Sequence, residues 1–168
     1  MSDEIVNRVA NSKLKTIDLE DYYPKGERTV IDIKHWLFHE LILKESDFRE
    51  HLKNHDWSKY KDHFVALSCS ADAIIPSWAF MLITTYLAPV AKKTVVGNLS
   101  DLENSIFQEI ISNFKIEDYT ERPIIIKGCA NKPIPQTAYI QLIEKLQPVA
   151  KSIMFGEACS TVPLFKAK

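Results

Sequence analysis

Three cysteines, Cys69, Cys129 and Cys159, are the residues of this chain best suited to chemistry. Similar text follows each of them: "CSADAIIP", "CANKPIP" and "CSTVP". The last two share cysteine, a small residue, two variable positions, proline and an aliphatic residue, through Ile134 and Leu164. Three thiolates with one further contact suit zinc, and thiolates also hold iron–sulfur clusters. Asp72, Asn131 and Glu157 are the local polar candidates for the fourth contact, with water as another. Separations of 60 and 30 residues fit no compact metal motif. Cysteine is equally at home as a small buried apolar side chain. A metal centre at Cys69, Cys129, Cys159 and Asp72 and a set of inert buried thiols therefore both stand. A lone cysteine nucleophile is a third reading, with no partner base visible nearby.

The five histidines add little. His35/His39 and His51/His55 have the four-residue spacing that can hold zinc on a helix, but neither pair sits in His-Glu-x-x-His. There is no Gly-x-Gly-x-x-Gly, no phosphate-binding Gly-Lys-Ser/Thr loop and no Gly-x-Ser-x-Gly elbow. Four glycines in all argue against a phosphate cradle.

The elements that must position the cysteines come in two copies. "PVAK" occurs at Pro89–Lys92 and again at Pro148–Lys151, an offset of 59. The same offset lays Pro76 on Pro135, Ala79 on Ala138, Phe80 on Tyr139 and Gly97 on Gly156, and Cys69 meets Cys129 at 60. "FVALSC" and "PIIIKGC" read as buried strands ending at a cysteine. Pro76 and Pro135 suit the first helical position, and apolar residues then follow at helical spacing. "KTVVG" and "SIMFG" read as strands closed by glycine. Each copy is thus a parallel βαβ unit, and "SDLENSIFQEIISNF", capped by Ser100, is the crossover helix between them.

These readings predict an α/β layered domain with a mostly parallel sheet built from two duplicated βαβ units. One domain spans residues 1–168: an N-terminal α+β flank at 1–62, the first unit at 63–97, the crossover helix at 98–122, the second unit at 123–156 and a C-terminal extension at 157–168. In the flank, "TIDLEDYYPKGERTVIDI" reads as two strands around a Pro-Lys-Gly turn and "SDFREHLKNHD" as a helix capped by Ser46. "HWLFHELIL" fits helix and strand equally. Ligands of open α/β sheets bind beyond the carboxyl ends of the strands, so all three cysteines are expected on one rim of one sheet.

Composition narrows the function classes. Charged residues make up 26% and the net charge is −1, so no broad field favours nucleic acid. No run of about 18 consecutive apolar residues suggests a membrane span. The polar, acidic start is unlike a secretory leader, and unpaired cysteines suit the reducing cytoplasm.

The phrases "MSDEIVNRVANSKL", "CSADAIIPSWA", "IIIKGCANKPIP" and "LQPVAKSIMFGEACSTVPL" resemble the bacterial domain of unknown function 2480 family over essentially the whole chain. That resemblance implies a single fold and a cytoplasmic setting, and it points to iron–sulfur assembly proteins as partners. It assigns no activity to Cys69, Cys129 or Cys159. The expected function is a small cytoplasmic protein binding zinc or an iron–sulfur centre through the three cysteines. The alternative is a metal-free protein-interaction module whose cysteines are structural.

Overall fold

Short runs of β-branched residues, each stopped by a turn or a capped helix, set the architecture. The computed structural model describes residues 13–128, 131–157 and 159–168. Seven strands and four α-helices follow in chain order among these residues: β1 (Lys15–Ile17), β2 (Arg28–Asp32), α1 (Glu45–Asn54), β3 (Phe64–Ser68), α2 (Ser77–Leu87), β4 (Lys93–Val96), α3 (Leu99–Ser112), β5 (Pro123–Ile126), α4 (Gln136–Leu146), β6 (Ser152–Glu157) and β7 (Ser160–Lys166). The α/β class is as expected. Strand–helix–strand segments β3–α2–β4 and β5–α4–β6 both carry parallel pairs, and both helices have 11 residues.

The expected single sheet is corrected. β2–β3–β4 form one sheet, and β1–β5–β6–β7 form another. The physical reason lies in the N-terminal region, which supplies one strand to each. β2 pairs with β3 in register from Arg28–Phe64 to Asp32–Ser68, whereas β1 pairs with β5 from Lys15–Ile124 to Ile17–Ile126. With β1 on one side and β6 on the other, β5 has no free edge left to continue from β4. The two strands around the Pro-Lys-Gly turn therefore exist, but in different sheets.

The chain divides into two compact units, Pro24–Ile106 and a terminal unit made of the residues up to Tyr23 with Phe107–Lys168. In the 24–106 unit, Ile31, Ile33, Phe48, Val65, Leu67, Ile83 and Leu87 form the core. In the terminal unit, Ile17, Phe107, Ile124, Ile126, Leu142, Leu146 and Ile153 are buried. Each helix packs by its predicted apolar face: Ala79, Ile83 and Leu87 of α2, and Ala138, Leu142 and Leu146 of α4.

Several local expectations shift by a residue or two. Pro76 and Pro135 are extended N-caps rather than first helical residues. Asn98, not Ser100, caps α3: its Oδ1 accepts the N–H of Ser100 at 2.7 Å and of Asp101 at 3.1 Å, while Asp101 accepts the N–H of Asn98 at 2.8 Å. Gly97, at φ +138°, lets the chain leave β4 and turn into this cap. α1 begins at Glu45 without a side-chain cap, so Ser46 lies inside it. Within the C-terminal extension, Ser160–Lys166 form β7, antiparallel on β6 with a bulge beside Met154.

Candidate functional site

The carboxyl rim of the β2–β3–β4 sheet is built from Asp32 outward. Asp32 ends β2 and its Oδ1 caps the short 3-10 helix Ile33–Trp36 through the N–H of Lys34 at 3.0 Å. The same carboxylate reaches the neighbouring strand end, accepting from Ser70 N at 3.0 Å and from Ser70 Oγ at 2.5 Å. The Ser70 hydroxyl is the main reason the Asp32 carboxyl is held below the usual range. One acidic side chain thus ties together the segments that leave β2 and β3.

"HWLFHELIL", ambiguous by pattern, resolves here as the end of the 3-10 helix followed by a tight hairpin. Phe38 and Ile42 form an antiparallel bridge, with Phe38 N donating to Ile42 O at 2.8 Å. His39 and Glu40 stand at φ +51° and +57°, the paired left-handed conformation that a type I′ turn demands. Neither is glycine, so each costs roughly 1–2 kcal/mol in backbone strain. Side chains on both flanks offset this. Glu40 meets Lys34 Nζ and His35 Nδ1, each at 3.1 Å, and Lys34 foremost lowers its carboxyl below the ordinary value. The Lys44 ammonium sits 3.0 Å above the Phe38 ring centroid.

Behind the hairpin lies an aromatic base. Trp36 packs edge-on against Phe48, His55 and Trp57, and Phe48 in turn meets Trp78. The His55 imidazole is bonded to Tyr60 Oη at 2.9 Å. Leu37 is buried and Leu43 packs on the core, so both legs of the hairpin are anchored. The tip between them is apolar yet open: Phe38 is 40% exposed, and Leu41 and Ile42 are each 59% exposed. In the segment between β3 and α2, Ile74 is 94% exposed.

Burial pushes the His55 pKa below the ordinary value of 6.5, with Lys59 adding to the effect and Asp56 opposing it. The fold therefore prefers neutral His55. Its contribution to stability is complete above pH 6.5 and is lost as pH falls through the lower folded value. Urea midpoints read by tryptophan fluorescence should be level above pH 7 and fall below about 6.5. His55→Phe should flatten that fall; an equal slope in the variant would show that His55 is not its source.

The terminal unit has a related rim. Asp18 follows β1, caps the 3-10 helix Leu19–Tyr22 through Glu20 N at 3.0 Å, and meets Lys127 Nζ at 3.3 Å. The Glu20 carboxylate accepts the N–H groups of Asn131 and Lys132, the latter at 2.7 Å. A cleft of about 520 Å³ opens here, lined by Lys132, Ile134, Gln136, Tyr139, Ile140 and Phe155. Burial, followed by Asp18 and Glu20, raises the Tyr139 hydroxyl pKa.

The expected common rim of cysteines is corrected by this topology. Cys69 follows β3 in one sheet, half-buried, with its Sγ 3.9 Å from Ala71 O. Cys159 stands in the other unit, exposed, two residues past the carboxyl end of β6, which pairs parallel with β5 and antiparallel with β7. Asp72 is exposed, and Cys129 lies outside the described residues. Among the described residues, no three His, Cys, Asp or Glu side chains group so as to hold a metal ion. Neither histidine pair lies wholly within one helix: His35 is in the 3-10 helix and His39 in the turn, and His51 is in α1 while His55 lies just past it.

A family model for proteins of unknown function, DUF2480, matches residues 3–167. The chain belongs to the DUF2480 family. No curated protein and no solved structure matches it. Family membership therefore supplies no reaction, and the features above carry the functional argument. Among the described residues, no helix is long and apolar enough to cross a membrane.

Sequence reasoning passed over the hairpin tip because its chemistry is apolar. The available signal was "WLFHELIL" itself: large apolar residues crowded into a stretch that fits helix and strand equally.

Proposed function

We propose that this protein is a metal-free interaction module that docks on another protein through the Phe38–Ile42 tip. The exposure of Phe38, Leu41 and Ile42 together in one tight hairpin carries the reading. Large apolar side chains gathered in the open mark interaction sites more often than scattered single ones do. The tip is also pre-organised. Its turn, its Glu40 ion pairs and its aromatic base fix its shape before binding, which lowers the ordering cost of association. The matching partner surface is a short apolar groove that admits Phe38, Leu41 and Ile42, with acidic groups placed to meet Lys34 and Lys44 at the rim. Cys69 and Cys159 are free thiols in this reading, which suits a reducing cytoplasm.

The rival is a zinc or iron–sulfur centre shared by Cys69, Cys129 and Cys159, and elemental analysis separates the two. Untagged protein purified without oxygen should carry well under one equivalent of zinc or iron. Its thiols should react with an alkylating reagent at rates that chelator leaves unchanged. About one metal per chain, lost together in the three cysteine-to-serine variants, would overturn the metal-free reading.

A further inference from the structure

The cleft of about 520 Å³ in the terminal unit has the size of a small-molecule site. It opens where Gly128 follows the carboxyl end of β5 and Phe155 approaches that of β6. Open parallel sheets bind ligands beyond such strand ends. Two rings make its apolar corner: Phe155 and Tyr139 meet with centroids 5.9 Å apart and planes at 89°. A Cβ on Gly128 would stand 2.5 Å from Phe155 Cζ, so the ring rests on bare backbone there. Ile134 and the exposed Ile140 extend the apolar lining.

Three side chains bring hydrogen-bond donors to the same cleft: the Lys132 ammonium, the Gln136 amide and the Tyr139 hydroxyl. Among the described residues, no carboxylate lines it. Burial, then the charges of Asp18 and Glu20, raises the Tyr139 pKa, so its hydroxyl keeps the proton it would donate. Those two carboxylates are already engaged. Asp18 meets Lys127 Nζ at 3.3 Å, and Glu20 accepts the backbone N–H groups of Asn131 and Lys132. The Lys132 ammonium stands 5.7 Å from the Tyr23 ring centroid, and among the described residues no carboxylate pairs with it.

Packing does not call for these groups. At 59 residues earlier, Ala73, Ser77, Phe80 and Val96 stand in place of Lys132, Gln136, Tyr139 and Phe155. α2 still buries Ala79, Ile83 and Leu87 as α4 buries Ala138, Leu142 and Leu146. The cation, the amide, the phenol and the second ring therefore belong to the cleft rather than to the strand–helix–strand packing.

We infer that this cleft binds a small aromatic carboxylate, its ring against Phe155 and Tyr139 and its charge toward Lys132, Gln136 and the Tyr139 hydroxyl. A carboxylate only accepts hydrogen bonds, which matches a lining that supplies donors. A flat apolar ring matches two aromatic walls set at a right angle. One cation suits one negative charge, and a polyphosphate would leave most of its charge unmet.

Titration of the isotope-labelled full chain with naphthylacetate, followed by NMR, tests this, with naphthylethanol as the uncharged counterpart. The acid should give saturable shifts at the amides of Gln136, Tyr139, Ile140 and Phe155. It should bind at least about tenfold more tightly than the alcohol, as expected for a hydrogen bond to a charged group. Lys132→Met should weaken the acid about tenfold and leave the alcohol unchanged. Tyr139→Phe should weaken the acid roughly threefold or more while the fold is kept, since phenylalanine stands at the matching place on α2. Lys151→Met removes an exposed cation outside the cleft and should change neither affinity. Absence of saturable shifts at these amides with millimolar acid would overturn the inference. So would equal affinity for acid and alcohol, or equal losses in Lys132→Met and Lys151→Met. The hairpin tip takes no part in this binding, so failure here leaves its docking proposal untouched.

Discussion

Arg28→Met will destabilise the 24–106 unit by about 3–5 kcal/mol, and adding Glu103→Leu will recover most of that loss. Arg28 opens β2 and its Nε meets Glu103 Oε1 of α3 at 2.8 Å. Their side chains are only 13% and 9% exposed. The guanidinium also donates to Pro24 O at 2.8 Å and Gly26 O at 2.7 Å and lies 4.7 Å over the Phe64 ring. Methionine keeps much of the volume on Phe64 but removes the guanidinium that faces the Glu103 carboxylate in a nearly dry site. The weakened charge pairing is the source of the loss, so removing the carboxylate by Glu103→Leu relieves the variant. Urea titration gives the answer, with tryptophan fluorescence as the probe, since Trp36, Trp57 and Trp78 all lie in this unit. A double variant no more stable than Arg28→Met would show that the guanidinium's other bonds, not the ion pair, hold the site.

Phe48→Ala will cost about 3–5 kcal/mol, by the lost transfer energy of the ring and the cavity it leaves. Phe48 is fully buried on α1, with Trp36 at 6.1 Å and Trp78 at 6.0 Å between ring centroids. It therefore supports the 3-10 helix that leads into the hairpin as well as the start of α2. The same variant should shift the tryptophan emission of the folded state, because two of the three indoles lose a neighbour. A change below about 1 kcal/mol would mean that the surrounding aromatic rings collapse into the space.

The parts of this fold legible in the sequence were those set by local pattern. "FVALSC" and "PIIIKG" announce strands by β-branched content, and the apolar spacing after Pro76 and Pro135 gives both helices and their buried faces. Sheet membership was not legible, since it depends on where β1 and β2 pair, and three residues at Lys15–Ile17 carry little signal. β7 was hidden because Pro163 argues against a strand; it is accommodated on an edge, beside the bulge. The Arg28–Glu103 contact spans 75 residues and has no local trace. For the site, cysteine type drew attention to Cys69 and Cys159, which follow strands of two different sheets. The tip was missed because two non-glycine residues occupy its turn, contrary to the Asn-Gly signature that marks such hairpins.

Capture of partners by the full-length chain tests the central claim most directly. Three immobilised forms would be exposed to extract of the cells that make the protein: the native chain, Leu41→Asn with Ile42→Asn, and Cys69→Ser with Cys129→Ser and Cys159→Ser. Bound proteins would be quantified by mass spectrometry. The account predicts that the tip variant loses its specific partner at least about tenfold, as expected when central apolar anchors are removed. The serine variant should retain it. A partner that survives the tip substitutions and disappears with the cysteines would contradict the account and place the function in the thiols.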